Sequence, residues 1–149
     1  MRKIFLFFAA ILCAIGMNAK TLYLKPNSNW AGNSPRNAAY FFGNGDKWLA
    51  MSDDDGDGIY EVEAPAGYPN VIFCSMNKNT TGLGWGDKWN QTADLTIPTD
   101  DKNLCTIADG WDGVSGTWSV YDPLATNVYL AGSMNGWSTT TNEFRKANA

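Results

Sequence analysis

The sequence contains no histidine, and this absence narrows the chemistry open to the chain. Histidine is the general base of Ser-His-Asp and Cys-His catalytic groups and the commonest zinc ligand. Those catalytic arrangements, and any zinc site built on histidine, are therefore excluded. Long amphipathic helical patterns are also absent, and after the N-terminus no apolar run approaches the length of a membrane span. We expect no cofactor and no membrane-spanning segment.

Basic residues and cysteines are also scarce. There are 11 Lys and Arg against 15 Asp and Glu, which gives a formal charge of −4. Two of the basic residues, Arg2 and Lys3, lie in an N-terminal segment that we expect to be cleaved, and without them the formal charge is −6. An acidic surface argues against nucleic acid and anionic membranes as partners. Apart from Cys13, only Cys74 and Cys105 are present, and they could form one disulfide or remain buried free thiols.

The N-terminal segment has the pattern of a secretory signal peptide. A short basic start precedes the apolar run "IFLFFAAILCAIG", and a small residue, Ala19, ends the segment. The run is too short for a membrane span. We predict that residues 1–19 are a signal peptide and that the chain is exported to the periplasm, the cell surface or the medium.

The stretch "SDDDGDGIYE" (52–61) has the opening of an EF-hand calcium loop, with Asp53, Asp55 and Asp57 alternating before a glycine. An EF-hand needs a bidentate carboxylate at position 12, but that position is Ala64. The flanking segments alternate as strands do, and Asp-Gly is typical of tight turns. We therefore favour a hairpin turn and no metal, with a calcium loop of another type as the alternative.

Short runs of strand-like residues recur along the chain, separated by turn signals rich in Gly, Pro, Asn and Asp. Their number and spacing predict an all-β fold, an antiparallel β-sandwich of immunoglobulin-like dimensions over residues 20–122. The predicted strands are 21–25, 37–42, 46–51, 59–64, 70–76, 94–97, 103–107 and 117–121.

An aromatic cluster is predicted where "AAYFFGNGDKW" turns back on itself. Side chains alternate along a strand, so Tyr40 and Phe42 share one face and Phe41 takes the other. If Phe41 fills the core, Tyr40, Phe42 and Trp48 form an exposed platform, but the opposite facing fits the periodicity equally well. Exposed rings beside amides suit sugars, whose C–H faces pack on aromatic planes.

The glycine-rich segment "GLGWGDKWNQT" supplies further candidate partners for a sugar: Trp85, Trp89, Asn90, Gln91 and Thr92. A tryptophan in such a loop can equally close one end of the sandwich. The acidic residues, by contrast, cluster in turns, where burial does not raise the pKa of one carboxyl above that of a partner. We therefore expect no catalytic activity in the visible chain.

These segments resemble the starch-binding carbohydrate-binding modules of family 26 found in exported proteins of gut Gram-negative bacteria. The resemblance covers residues 20–122 and rests on "LYLKPNSNW", "AAYFFGNGDKW", "DGIYEVEAPAGYPNVIFC", "WNQTADLTIP" and "GTWSVY". It implies a β-sandwich that binds α-1,4-glucans without catalysis. It also implies sugar contacts at Tyr40, Phe42 and Trp48, with Gln91 as a polar contact. The family commonly has Tyr where this chain has Phe42.

After residue 122 the pattern restarts. "VYLAGSMNGWS" resembles the beginning of glycogen-binding modules of family 48, so residues 123–149 are predicted to be the truncated start of a second β module. Such tandem modules often accompany an amylase-type catalytic domain, and the resemblance therefore implies a linked catalytic domain as a partner. The expected function is binding of starch or maltooligosaccharides. The alternative is a structural or adhesion β-sandwich with no sugar ligand.

Overall fold

The computed structural model describes residues 19–34 and 36–123, and the backbone of two short strands further along the chain. These residues form eleven strands, one α-helix and a single 3₁₀ turn. The elements are β1 (Lys20–Lys25), α1 (Ser28–Asn33), β2 (Asn37–Phe42), β3 (Lys47–Ala50), β4 (Tyr60–Ala64), β5 (Asn70–Met76), the 3₁₀ turn Trp85–Asp87, β6 (Lys88–Gln91), β7 (Leu95–Thr96), β8 (Leu104–Ile107), β9 (Gly116–Ser119), β10 (Val128–Tyr129) and β11 (Glu143–Phe144).

The strands from β1 to β9 form two sheets. The four-stranded sheet has the order β4-β1-β8-β9, and the five-stranded sheet has the order β3-β2-β5, with β6 and β7 both paired to β5. All pairs are antiparallel except β1 with β8, which run parallel. The predicted all-β sandwich is confirmed.

The core lies between the two sheets because each strand turns its alternate, apolar side chains inward. Leu22 and Leu24 come from β1, Phe41 from β2 and Phe73 from β5, and all four side chains are fully buried. Burial of these side chains is the main contribution to the stability of the sandwich.

Helix α1 lies in a segment that the sequence pattern indicated only as a loop. Asn27 caps it: its side-chain oxygen accepts from the backbone N–H of Trp30 at 3.0 Å, and its amide donates to the carbonyl oxygens of Ala108 (2.7 Å) and Gly110 (3.0 Å). The fully buried Trp30 donates its indole N–H to the carbonyl oxygen of Trp111 at 2.8 Å. The short helix therefore inserts one large ring into the core and is joined to a distant loop.

The acidic stretch is a turn, as predicted, and one antiparallel bridge closes it, but β3 and β4 do not pair further as a hairpin. Strand β3 pairs with β2 and β4 pairs with β1, so the intervening residues cross from one sheet to the other. One isolated bridge joins Ser52 to Glu61, with N···O distances of 3.1 and 2.7 Å. The Asp-Gly pattern correctly indicates a turn. Which strands pair on either side of the turn depends on the sheet that each strand's apolar face helps to cover.

Cys74 and Cys105 are buried free thiols rather than a disulfide. Cys105 lies in the core between the sheets, whereas Cys74 lies in a second apolar cluster on the outer side of the five-stranded sheet. The sheet separates the two sulfur atoms. Burial raises the pKa of each thiol to about 12.

The remaining sequence predictions concern the ends of the chain. The predicted signal peptide lies outside the described residues except for its last residue. The predicted second module also lies outside them, apart from its first residue and the short antiparallel pair of β10 and β11. Within the described part of the chain, no helix combines the length and apolar character needed to cross a membrane.

Candidate functional site

The outer face of the five-stranded sheet carries the predicted aromatic cluster. Phe41 is fully buried in the core between the sheets, so its neighbours Tyr40 and Phe42 point to the other side. There they pack with Trp48 against the second apolar cluster, which includes Ile72. All three rings are half-buried and reach solvent. Of the two facings that the periodicity allowed, the structure has the one that exposes the rings.

We call Tyr40, Phe42 and Trp48 the aromatic platform. Tyr40 and Phe42 are stacked, with ring centroids 5.8 Å apart and an interplanar angle of 11°. The Tyr40 and Trp48 centroids are 5.0 Å apart at 42°, since these residues pair directly across β2 and β3. The turn between the strands uses Gly43 (φ 99°) and Gly45 (φ 91°), conformations that favour glycine.

Asp46, in the same turn, fixes the polar end of the platform. The Tyr40 hydroxyl donates to its Oδ1 atom at 2.8 Å. This hydrogen bond, more than any other cause, raises the pKa of Tyr40 above its ordinary value. One carboxylate oxygen of Asp46 therefore lies beside the rings as a hydrogen-bond acceptor. No local sequence pattern marks Asp46 as part of the site.

Gln91 lies on the same outer face, but away from the rings. It pairs with Cys74 of β5, and Cys74 pairs with Ala38 of β2. Ala38 lies two residues before Tyr40 on the same strand. Directly paired residues point to the same face of a sheet. Strand and residue spacings place the Cα atoms of Gln91 and Tyr40 about 12 Å apart. Gln91 can therefore touch only a ligand that extends across the sheet.

Thr92, another candidate from the same segment, is buried. Its hydroxyl oxygen accepts from the backbone N–H of Phe73 at 3.1 Å. This contact connects the end of β6 to the central strand, so Thr92 is a structural residue and is unavailable to a ligand.

Trp85 adds a fourth ring to the cluster. Its centroid lies 4.7 Å from that of Tyr40 and 4.8 Å from that of Trp48, at interplanar angles of 67° and 76°. Its side chain is 47% exposed. The glycine-rich segment identified Trp85 as a possible sugar partner, but only the folded loop shows that its ring contacts the platform at a steep angle.

The acidic loop (residues 53–59) is the one metal-compatible group of carboxylates within the described residues. One oxygen from each of Asp53, Asp55 and Asp57 lies within 4.8 Å of the others. Each side chain also accepts a backbone N–H of the loop, with Asp53 accepting from Gly58 and Asp57 from Ile59. These hydrogen bonds help to hold the turn, while the second oxygen of Asp53, Oδ1, is buried without a hydrogen-bond partner.

The fold and the site together define a β-sandwich with an exposed aromatic cluster on one sheet. No family model, no curated protein and no solved structure matches the chain. Any function must therefore be argued from the chain's own residues and from the resemblance described above.

Proposed function

We propose that the chain binds α-1,4-glucans, such as starch and maltooligosaccharides, through the aromatic platform. The observation that supports the proposal is the placement of three contacting rings on the outer face while Phe41 points into the core. This is also the facing that the resemblance to starch-binding modules implies. The axial C–H bonds of a glucose ring can pack on Tyr40 or Trp48, whose faces carry partial negative charge.

Polar groups beside the rings would orient the sugar. The Asp46 carboxylate borders Tyr40 and can accept from sugar hydroxyls, and Gln91 can both donate and accept across the sheet. The Asp46 carboxylate is already engaged with the Tyr40 hydroxyl and lies at the surface. We therefore assign it to binding and propose no catalytic step.

Binding should be weak. One or two glucose units packed on two or three rings, with a few hydrogen bonds, suggest about −4 to −7 kcal/mol, or a Kd of roughly 1 mM to 10 μM. Attachment to a second module or to a catalytic domain would raise the effective concentration at a starch granule. We accordingly propose that the chain targets an exported starch-degrading protein to its substrate.

The test compares two tryptophans that both reach solvent. Trp48→Ala and Tyr40→Ala should abolish binding of maltoheptaose in calorimetric titrations. Trp111→Ala removes a 52% exposed ring from a different loop and should leave the affinity unchanged. Thermal unfolding of each variant serves as the control for folding. Unaltered affinity in Trp48→Ala would contradict the proposal.

A structural role for the same rings is the second candidate, and one observation favours it. Beneath the platform lie four buried residues, Ala38, Ile72, Cys74 and Met76, so the rings also cover a small apolar cluster. If the rings serve only this purpose, Trp48→Ala will lower the Tm and the wild-type chain will bind no sugar. This outcome would assign the chain to the structural or adhesion class.

A further inference from the structure

A loop of residues 77–87 connects β5 to β6 and carries Trp85. Its two ends are joined by a hydrogen bond from the Asn77 N–H to the Asp87 carbonyl oxygen at 2.7 Å. Inside it, the Asp87 N–H donates to the Gly84 carbonyl oxygen at 3.0 Å and closes the 3₁₀ turn that begins at Trp85. The loop is therefore an ordered turn whose shape fixes where the indole leaves the backbone.

Arg36 holds this loop against the sheet. Its guanidinium donates to the carbonyl oxygens of Asn77 (2.6 Å), Thr80 and Gly82 (3.0 Å). Its own carbonyl oxygen accepts from the Met76 N–H at 2.9 Å. Arginine suits this task because its donors form a rigid fork, whereas lysine presents a single point charge. Arg36 directly precedes β2, so it ties the loop to the strand that carries Tyr40 and Phe42.

The result is an angled surface. Trp85 stands at 67° to Tyr40 and at 76° to Trp48, and nearly half of its side chain faces solvent. Three rings at these angles cannot all lie flat against a straight ribbon. A chain that curves as it leaves the platform can pack one sugar on Tyr40 or Trp48 and the next on Trp85.

We propose that Trp85, positioned by Arg36, is the residue that makes this site select curved α-1,4-linked chains over straight β-1,4-linked chains. The inference rests on the proposed function and names the feature that determines its specificity. A straight β-linked chain would run into Trp85, which stands at a steep angle to the platform, whereas a curved α-linked chain gains a contact there.

The experiment measures the affinities of the full chain and its variants for maltoheptaose and cellohexaose by calorimetry. Trp85→Ala should weaken maltoheptaose binding about tenfold, the effect of losing about 1.4 kcal/mol of ring contact. Binding of cellohexaose should not weaken, so the ratio of the two affinities should fall by at least the same factor. Leu83→Ala, which trims an exposed apolar residue of the same loop, is the matched control and should leave both affinities unchanged.

The role of Arg36 is tested by a double-mutant cycle. If Arg36 acts through Trp85, Arg36→Ala should lower the ratio of affinities on its own but have no further effect in the Trp85→Ala background. Arg36→Lys should restore the ratio poorly, because the ammonium has one nitrogen and cannot place donors at both the Nη1 position, which reaches Asn77 and Thr80, and the Nη2 position, which reaches Gly82. Additive effects of the two alanine substitutions on the ratio would overturn the positioning role.

The outcomes separate this inference from the proposed function. Equal changes in the two affinities, or tighter maltoheptaose binding in Trp85→Ala, would overturn the specificity role alone. A folded wild-type chain that binds neither sugar would overturn both proposals.

Discussion

Phe41 and Phe42 are the same residue type in adjacent positions, and the structure gives them opposite environments. Phe41 is fully buried between the sheets and meets the Tyr68 ring edge-on, with centroids 6.3 Å apart. Phe42 is half-buried on the outer face and stacks on Tyr40. Alanine substitution at the two positions should therefore have different effects on stability and on ligand binding.

The expected magnitudes follow from these contacts. Phe41→Ala leaves a cavity in the core and should lower the free energy of unfolding by about 3–5 kcal/mol. Phe42→Ala loses one ring contact at the surface and should lower it by about 1 kcal/mol. Urea unfolding at equal slopes of about 1.5 kcal/mol per molar would then show midpoint shifts of about 2–3 M and less than about 1 M.

The pair also separates stability from binding. Phe42→Ala should weaken maltoheptaose binding in a folded chain, whereas Phe41→Leu, a milder core substitution that preserves folding, should leave binding unchanged. Equal losses of stability at the two positions, or a larger loss at Phe42, would refute the facing of β2 and with it the aromatic platform.

Three further predictions concern the rest of the sandwich. Asn27→Ala removes the cap of α1 and two hydrogen bonds to loop carbonyl oxygens, so urea unfolding should show that the free energy of unfolding falls by about 2–3 kcal/mol. Asn29→Ala removes one hydrogen bond and should lower it by about 1 kcal/mol or less. Equal losses in the two variants would contradict the role of the cap. Because burial raises the pKa of Cys74 and Cys105 from 9.0 to about 12, unfolded thiols ionise first, and the free energy of unfolding should fall as pH rises from 9 toward 12. The double alanine variant should lose less stability over that range, and parallel pH profiles would contradict the burial of the thiols. If hydrogen bonds to backbone N–H groups alone hold the acidic loop, EDTA should leave the Tm unchanged, whereas a fall in Tm that calcium reverses would show a structural ion there.

Much of the fold follows from local patterns. All eight predicted strands are present within one or two residues of their observed ends, because alternating apolar residues and glycine-rich turns are local signals. Strand β6 was not predicted because its segment, "KWNQ", lacks β-branched residues and follows a loop rich in glycine and asparagine. Helix α1 is too short for a helical period to register. The turn between β3 and β4 was predicted, but not that the two strands pair no further, because a turn signal does not state which strands pair.

The candidate site was likewise predicted in part from local patterns and in part could not be. The spacing of Tyr40 and Phe42 predicts that they share a face, and the "GNG" turn predicts that Trp48 lies beside them. The sequence does not show which face of the sheet these rings occupy. That depends on how the opposite sheet packs on Phe41, and no local pattern predicts this packing. The contacts of Arg36 with residues 77–82 span more than forty positions and carry no sequence signature. Long-range contacts of this kind become visible only in the folded chain.

The most direct test of the account is titration of the chain with maltoheptaose while the tryptophan fluorescence is followed, with cellohexaose as the control. Trp48 and Trp85 lie in the cluster, so a bound sugar should change their emission. The account predicts a saturable change with the α-glucan, at a Kd of roughly 1 mM to 10 μM, and a change with the β-glucan only at concentrations about tenfold higher or more. A folded chain whose emission responds to neither sugar, with calorimetry also showing no binding, would contradict it.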